Sequence, residues 1–171
     1  MTEIYVYYFI FLIVFTMHEF EEVLFLTKWT KKNGDLFKNK IRKKPINNIV
    51  EAMNEIKFGL IVLEEYILLL SLLIYIVLTD KNIIFLGIVL GYTFHIIAHI
   101  VQSLQLKKYV PGLGTGIMSG GVSIFIALKV INLYGYNFFE IVKATALISI
   151  GIVINLLICY LVAHVLIREE W

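Results

Sequence analysis

Residues 4–26 read IYVYYFIFLIVFTMHEFEEVLFL, an apolar run broken by His18-Glu19-Phe20-Glu21-Glu22. A helix needs about 20 residues to cross a bilayer core. Ile4–Met17 is too short to do so alone, and apolar character resumes at Val23-Leu24-Phe25-Leu26. The run therefore reaches both faces only if the polar cluster lies inside. The next apolar stretch poses the same problem, because Tyr66–Leu78 needs Phe58–Leu63 on the far side of Glu64-Glu65. A third stretch carries His95 and His99 in its second half.

Composition agrees with this reading. Of 171 residues, 60% are hydrophobic, and mean hydropathy is +0.85, whereas soluble domains are about 45–50% apolar. The expected fold is all-α, a single polytopic integral membrane bundle spanning residues 1–171 with about five transmembrane helices. The spans fall near 4–26, 57–78, 83–106, 113–132 and 141–166. The first span, with no basic flank and no small-residue cleavage site, is expected to remain uncleaved. A net charge of +2 offers no basis for nucleic-acid binding, and the lone Cys159 has no disulfide partner.

Charge placement sets an expected orientation. Lys28, Lys31, Lys32, Lys38, Lys40, Arg42, Lys43 and Lys44 crowd the connection 27–56, and Lys107, Lys108 and Arg168 join them on that side. The positive-inside rule makes this face cytoplasmic, with the N-terminus outside and the C-terminus inside a cell membrane. Within the connection, Asn33-Gly34-Asp35 reads as a turn. Ile46, Ile49, Val50, Met53 and Ile56 form an amphipathic stretch suited to the membrane surface. The other loops are short, which predicts that consecutive helices pack as antiparallel neighbours.

Depth and spacing gather the ionisable residues. Counted from the cytoplasmic ends, His18, Glu64 and His99 lie at one level, with Glu21, Glu22 and His95 within a turn of it. His18 shares a helix face with Glu21 and Glu22, at i,i+3 and i,i+4, and His95 shares one with His99. Gly87 and Gly91 extend the second stripe as a surface for close helix approach. A charged side chain at mid-membrane costs roughly 2.5–3.5 kcal/mol, so four unpaired carboxylates cost on the order of 10 kcal/mol. No Lys or Arg lies at this depth. The carboxylates must be protonated, paired with imidazolium, wetted or bound to a cation, and a cation satisfies Glu and His together.

Imidazole and carboxylate without thiolate suit a divalent metal such as zinc, manganese or iron. The candidate ligands are His18, Glu21, Glu22, Glu64, Glu65, His95 and His99. Their number is enough for two ions and resembles the di-iron carboxylate bundles in ligand count and helical placement, although His-x-x-Glu-Glu reverses the Glu-x-x-His order. Glu19 points about 100° from His18 and is the weakest candidate of its cluster. Two other readings remain open: a proton or ion pathway, and a satisfied polar network between helices. His164 and Asn155 read as ordinary interfacial residues.

Tyr109-Val110-Pro111-Gly112 predicts a type II turn. Gly112, Gly116 and Gly120 predict close packing of the following helix, and no Walker pattern accompanies them. Together, His18, Glu21, Glu22, a later histidine and Tyr109-x-Pro111-Gly112 resemble the HXXEE membrane-protein family. This resemblance covers the first to the fourth span, marks those residues as motif positions, and implies no activity. Glu64-Glu65 fits the CAAX-type intramembrane proteases poorly, because Leu69 stands where they carry Arg. The expected function is a metal-dependent intramembrane enzyme, oxidative with two irons or hydrolytic with zinc, acting on a lipid or another hydrophobic small molecule. The competing classes are a proton or divalent-cation transporter and a non-catalytic membrane protein.

Overall fold

The computed structural model describes residues 2–40 and 54–166. The described residues form five helices: α1 (Thr2–Lys40), α2 (Glu55–Thr79), α3 (Asn82–Leu106), α4 (Leu113–Tyr134) and α5 (Phe138–Leu166). Helices α2 to α5 are each long and apolar enough to cross a membrane. Helix α1 differs from them in carrying Glu19, Glu21 and Glu22 mid-helix. Much of the apolar surface faces outward. Phe9, Phe20, Leu78, Leu104, Phe139 and Leu161 are all more than half exposed, which a water-soluble monomer avoids over so wide a surface.

Local chemistry sets the helix ends. The Asn54 side chain caps α2 by accepting from the Lys57 N–H at 2.8 Å. Lys107, at φ 53°, closes α3 with N–H bonds from Lys107 to Leu104 and from Lys108 to Ser103, a Schellman arrangement. Asn137 and Glu140 form a reciprocal capping box at the start of α5, at 2.9 and 3.0 Å.

The helices close a ring in the order α1, α4, α3, α5, α2, with α3 also reaching α1 and α2. This order bears out the expectation that consecutive helices are neighbours for α3 with α4 and, more weakly, for α2 with α3, and corrects it for α4 and α5. Helices α4 and α5 are joined by only Gly135, Tyr136 and Asn137, yet they diverge, and α5 packs on α3 and α2. Small residues on α3 explain the choice. A Cβ on Gly87 would lie 3.0 Å from the Ala144 carbonyl oxygen, and one on Gly91 would lie 3.1 Å from Ser149 Oγ, so α5 seats on the glycine stripe. Two glycines of α4, Gly116 and Gly120, face α3 in the same way, both against Ile96.

The turn expected at Asn33-Gly34-Asp35 is instead a kink within α1. Asn33 alone leaves helical geometry (φ −117°, ψ 16°), and the helix resumes beyond it. Its Nδ2 donates to the Trp29 carbonyl at 2.8 Å, and its Oδ1 accepts from Lys108 Nζ at 3.0 Å. The side chain thus serves backbone and neighbour at once. This contact, with Lys31 to Glu55 at 3.8 Å, sets the C-terminal part of α1, the start of α2 and the α3–α4 turn at one lysine-rich end. Of the sequence expectations, Arg42, Lys43, Lys44, Arg168 and the amphipathic stretch through Met53 lie outside the described residues, as does the His164 side chain.

An aromatic seam joins α1 to α3. Phe85 meets Tyr8 and Phe11 edge-on with centroids 4.5 and 5.8 Å apart, and Phe11 meets Tyr92 at 5.4 Å. Each such pair contributes about 0.5–1.5 kcal/mol beyond its burial. The Tyr8 hydroxyl also donates to Asn82 Oδ1, and Tyr92 donates to Ser119 Oγ at 2.8 Å.

Two glycine substitutions test this packing. Gly87→Val should destabilise the detergent-solubilised protein by about 1–3 kcal/mol through overpacking against α5. A Cβ on Gly121 would meet nothing within 4 Å, so Gly121→Ala should be neutral or stabilising by up to about 1 kcal/mol. Thermal unfolding of both variants provides the comparison, and equal losses would contradict the assigned α3–α5 contact.

Candidate metal centre

Four of the seven candidate ligands converge. His18 and Glu22 come from one face of α1, and His95 and His99 from one face of α3. One ligand atom from each lies within 4.8 Å of every other. His95 Nε2 is 3.2 Å from His18 Nε2 and 3.0 Å from His99 Nε2. Glu22 Oε1 is 2.8 Å from His99 Nε2 and 4.0 Å from His18 Nε2. The ligand edges of a tetrahedral site with metal–nitrogen bonds of 2.0–2.1 Å are about 3.3 Å, so this spacing is close to a coordination sphere.

The surroundings make the convergence costly without a shared partner. His18 is fully buried and Glu22 is 4% exposed. Glu22 Oε1 and His99 Nδ1 have no hydrogen-bond partner among the described residues, despite the short approach of Glu22 to His99. A buried acceptor left in this state costs about 1–3 kcal/mol, more when charged. Three imidazoles and a buried carboxylate oxygen are a donor set that fits a divalent cation. On the outer side of His18, Nδ1 lies 3.4 Å from Thr115 Oγ1, a contact of the kind that fixes a ligand ring.

The other three candidates have different placements. Glu21 accepts from Thr115 N at 3.0 Å, from Thr115 Oγ1 at 2.6 Å and from the Tyr109 hydroxyl. Burial, and then this carboxylate, raise the Tyr109 hydroxyl above its ordinary pKa, which keeps it a donor. Glu64 Oε2 accepts from Asn155 Nδ2 at 2.8 Å and lies 3.0 Å from Cys159 Sγ. Glu65 lines a cavity of about 200 Å³ bordered by α1, α2, α3 and α5. His95, Glu22, Glu19 and Asn155 line the same cavity. The exposed surface of His95 thus faces a chamber between the helices. The sequence gives little sign of the roles of Asn155 and Glu19. Asn155 is indistinguishable there from an interfacial polar residue. The angle that sets Glu19 apart from His18 is what turns it towards α2.

The α3–α4 turn forms the wall beside the cluster. Leu113 N donates to Val110 O at 3.1 Å, and Gly112 sits at φ 86°, ψ −14°. This is the type II turn expected with Pro111 at i+1. Position 112 has a further demand that the sequence did not reveal. A Cβ there would lie 2.7 Å from Glu22 Oε1 and 3.0 Å from His18 Cε1. Glycine is needed both for its backbone conformation and for the approach of the site.

Comparison with Gly135 separates these two demands, because Gly135 is also left-handed (φ +66°) and has open space around it. Gly135→Ala should cost about 1–2 kcal/mol from conformation alone. Gly112→Ala should cost more, and Glu22→Ala in the same chain should relieve the excess in a double-mutant cycle of thermal stability. Equal costs at the two glycines would remove Gly112 from the site.

None of the curated proteins and none of the solved structures matches this chain. The family model described as "Protein of unknown function with HXXEE motif" matches residues 9–127. That match includes His18–Glu22, the two histidines of α3 and the Tyr109–Gly112 turn packed against them, and the chain belongs to the HXXEE family.

Proposed function

We infer that this protein is a metal-dependent membrane enzyme that acts on a hydrophobic small molecule, with one divalent ion held by His18, Glu22, His95 and His99. The observation that carries the reading is the meeting of three Nε2 atoms and a buried carboxylate oxygen beside a cavity between the helices. One ion fits better than two. Glu21 and Glu64, two of the three remaining candidate ligands, are held by Thr115 and Tyr109 and by Asn155 and Cys159. Nitrogen-rich coordination favours zinc over a di-iron pair, and hydrolysis would require the ion to take a further ligand on the cavity side, beside His95 and Glu22. When bound, such an ion supplies Lewis acidity to a carbonyl or phosphoryl oxygen.

The chain's own residues do the remaining work. His18 and His99 are buried and fix the site, while His95 and Glu22 form its boundary with the cavity. The apolar walls exclude water and orient the substrate. Helix α1 crosses the membrane with α2 to α5, its acidic cluster inside, and the lysine-rich end faces the cytoplasm. The N-terminus is then outside. This orientation rests on Lys28, Lys31, Lys32, Lys107 and Lys108 sharing one end.

One observation favours a second reading. Glu19 and Glu65 line the cavity outside the four-residue cluster, and intramembrane carboxyls of this kind also carry protons or cations in transporters. A carrier would move protons or metal down a gradient in proteoliposomes, and an enzyme would not.

Elemental analysis of the purified protein tests the main reading. About one equivalent of zinc or iron per chain is expected. His95→Ala and His99→Ala should lose it while keeping the elution volume of a folded protein. Glu64→Gln should retain it. Loss in Glu64→Gln, or equal retention in all variants, would contradict the assigned ligands.

A further inference from the structure

The cavity beside the cluster has an uneven lining that bears on its ligand. Most of the wall is apolar, with Phe11, Phe15, Leu69, Leu72 and Ile88 among its members. Its polar groups are few, and half are acidic: Glu19, Glu22 and Glu65, beside Asn155, Tyr92 and His95. No Lys or Arg among the described residues lines it. Glu19 is 6% exposed, and it makes no hydrogen bond or ion pair among the described residues. It is therefore a buried acceptor aimed at the chamber without a protein partner there, on a different face of α1 from His18.

We propose that the cavity binds a single-chain amphiphile with a primary ammonium head, the head seated between Glu19 and Glu65 and the first carbons of the chain lying along the phenylalanine and leucine wall. The inference deepens the enzyme reading and rests on it for the idea that the bound molecule is a substrate. Volume limits the part that fits inside. At about 200 Å³, the chamber is somewhat larger than the roughly 150 Å³ cavity that holds one benzene ring. A head and a short run of methylenes fit, whereas two acyl chains do not.

Hydrogen-bond acceptors select the head. Glu19, Glu65 and Asn155 line the cavity with no Lys or Arg beside them among the described residues. The three N–H donors of a primary ammonium match two carboxyl groups and the Asn155 side-chain oxygen. A fatty acid would add a further acceptor, and a chain without a polar head would leave the buried acceptors unsatisfied, at a cost greater than that of a missing contact.

The test compares hexylamine, hexanol, hexanoic acid and hexane by calorimetry on the full-length protein in nanodiscs, with empty nanodiscs as the blank. Wild type is expected to bind hexylamine about tenfold more tightly than hexanol, the difference between an ionic and a neutral hydrogen bond. Hexanoic acid should bind more weakly than either. Glu65→Gln, which keeps the shape of the side chain, should erase the preference for the amine while leaving metal content and hexanol binding unchanged. His95→Ala separates the two readings. It should lose its metal and keep the amine preference. A preference that disappears with the metal would mean that the amine coordinates the ion, and would overturn the proposal. Equal binding of amine and alcohol by metal-loaded wild type would also overturn it while leaving the metal centre standing. Selective amine binding by a wild type that holds no metal would support the pocket and remove the metal reading. If Glu65→Gln does not fold, the ranking of the four head groups on wild type decides the matter.

Discussion

An ionisable side chain inside an apolar bundle has to find its partners within the protein, because neither lipid nor a packed core supplies them. Helix α1 carries four such side chains between His18 and Glu22, and the arrangement of its neighbours follows from where each finds company. Glu21 turns to Thr115 and Tyr109. His18 and Glu22 meet the two histidines of α3. Glu19 faces the chamber bordered by α2 and α5. Close approach of α1 to the α3–α4 turn is the condition for the first two, and Gly112 permits it by placing no atom in front of Glu22 and His18. The two family motifs are thus the two sides of one contact.

That contact also divides the bundle by task. On one side, α4 packs tightly on α3 through glycines and holds the turn against the cluster. On the other, α5 stands back from α1, and a chamber that His95 and Glu22 line is left between them and α2. Rigid packing behind the ligands and open space before them is the layout needed to hold an ion while admitting a second molecule. The aromatic seam from Tyr8 through Phe85 and Phe11 to Tyr92 ends edge-on to His18, with ring centroids 5.6 Å apart. The site is therefore continuous with the aromatic part of the core.

Much of this was legible in the sequence, and the gaps have physical causes. Apolar runs bounded by Asn, Asp and Gly located α2 to α5 within a few residues. Depth counting brought His18, Glu22, His95 and His99 to one level, because helices of similar length in a layered solvent have comparable coordinates. The same counting could not resolve direction. Glu21 and Glu64 share that level, yet hydroxyl, amide and thiol groups on α4, α5 and the α3–α4 turn engage them, and those partners carry no signal of their own. Asn33-Gly34-Asp35 misled because turn residues mark a break in backbone geometry without saying whether the helix resumes. Ring order was hidden for a related reason. A three-residue loop makes α4 and α5 neighbours at one end only, while Gly87 and Gly91 draw α5 across to α3.

X-ray absorption at the edge of the metal that the purified protein retains would test the central claim most directly. The account predicts a low-coordinate sphere of nitrogen and oxygen, with the outer-shell scattering of three imidazole rings, falling to two in His95→Ala reloaded with the metal. A sphere of oxygens alone, or one with sulfur bound to the metal, would contradict it.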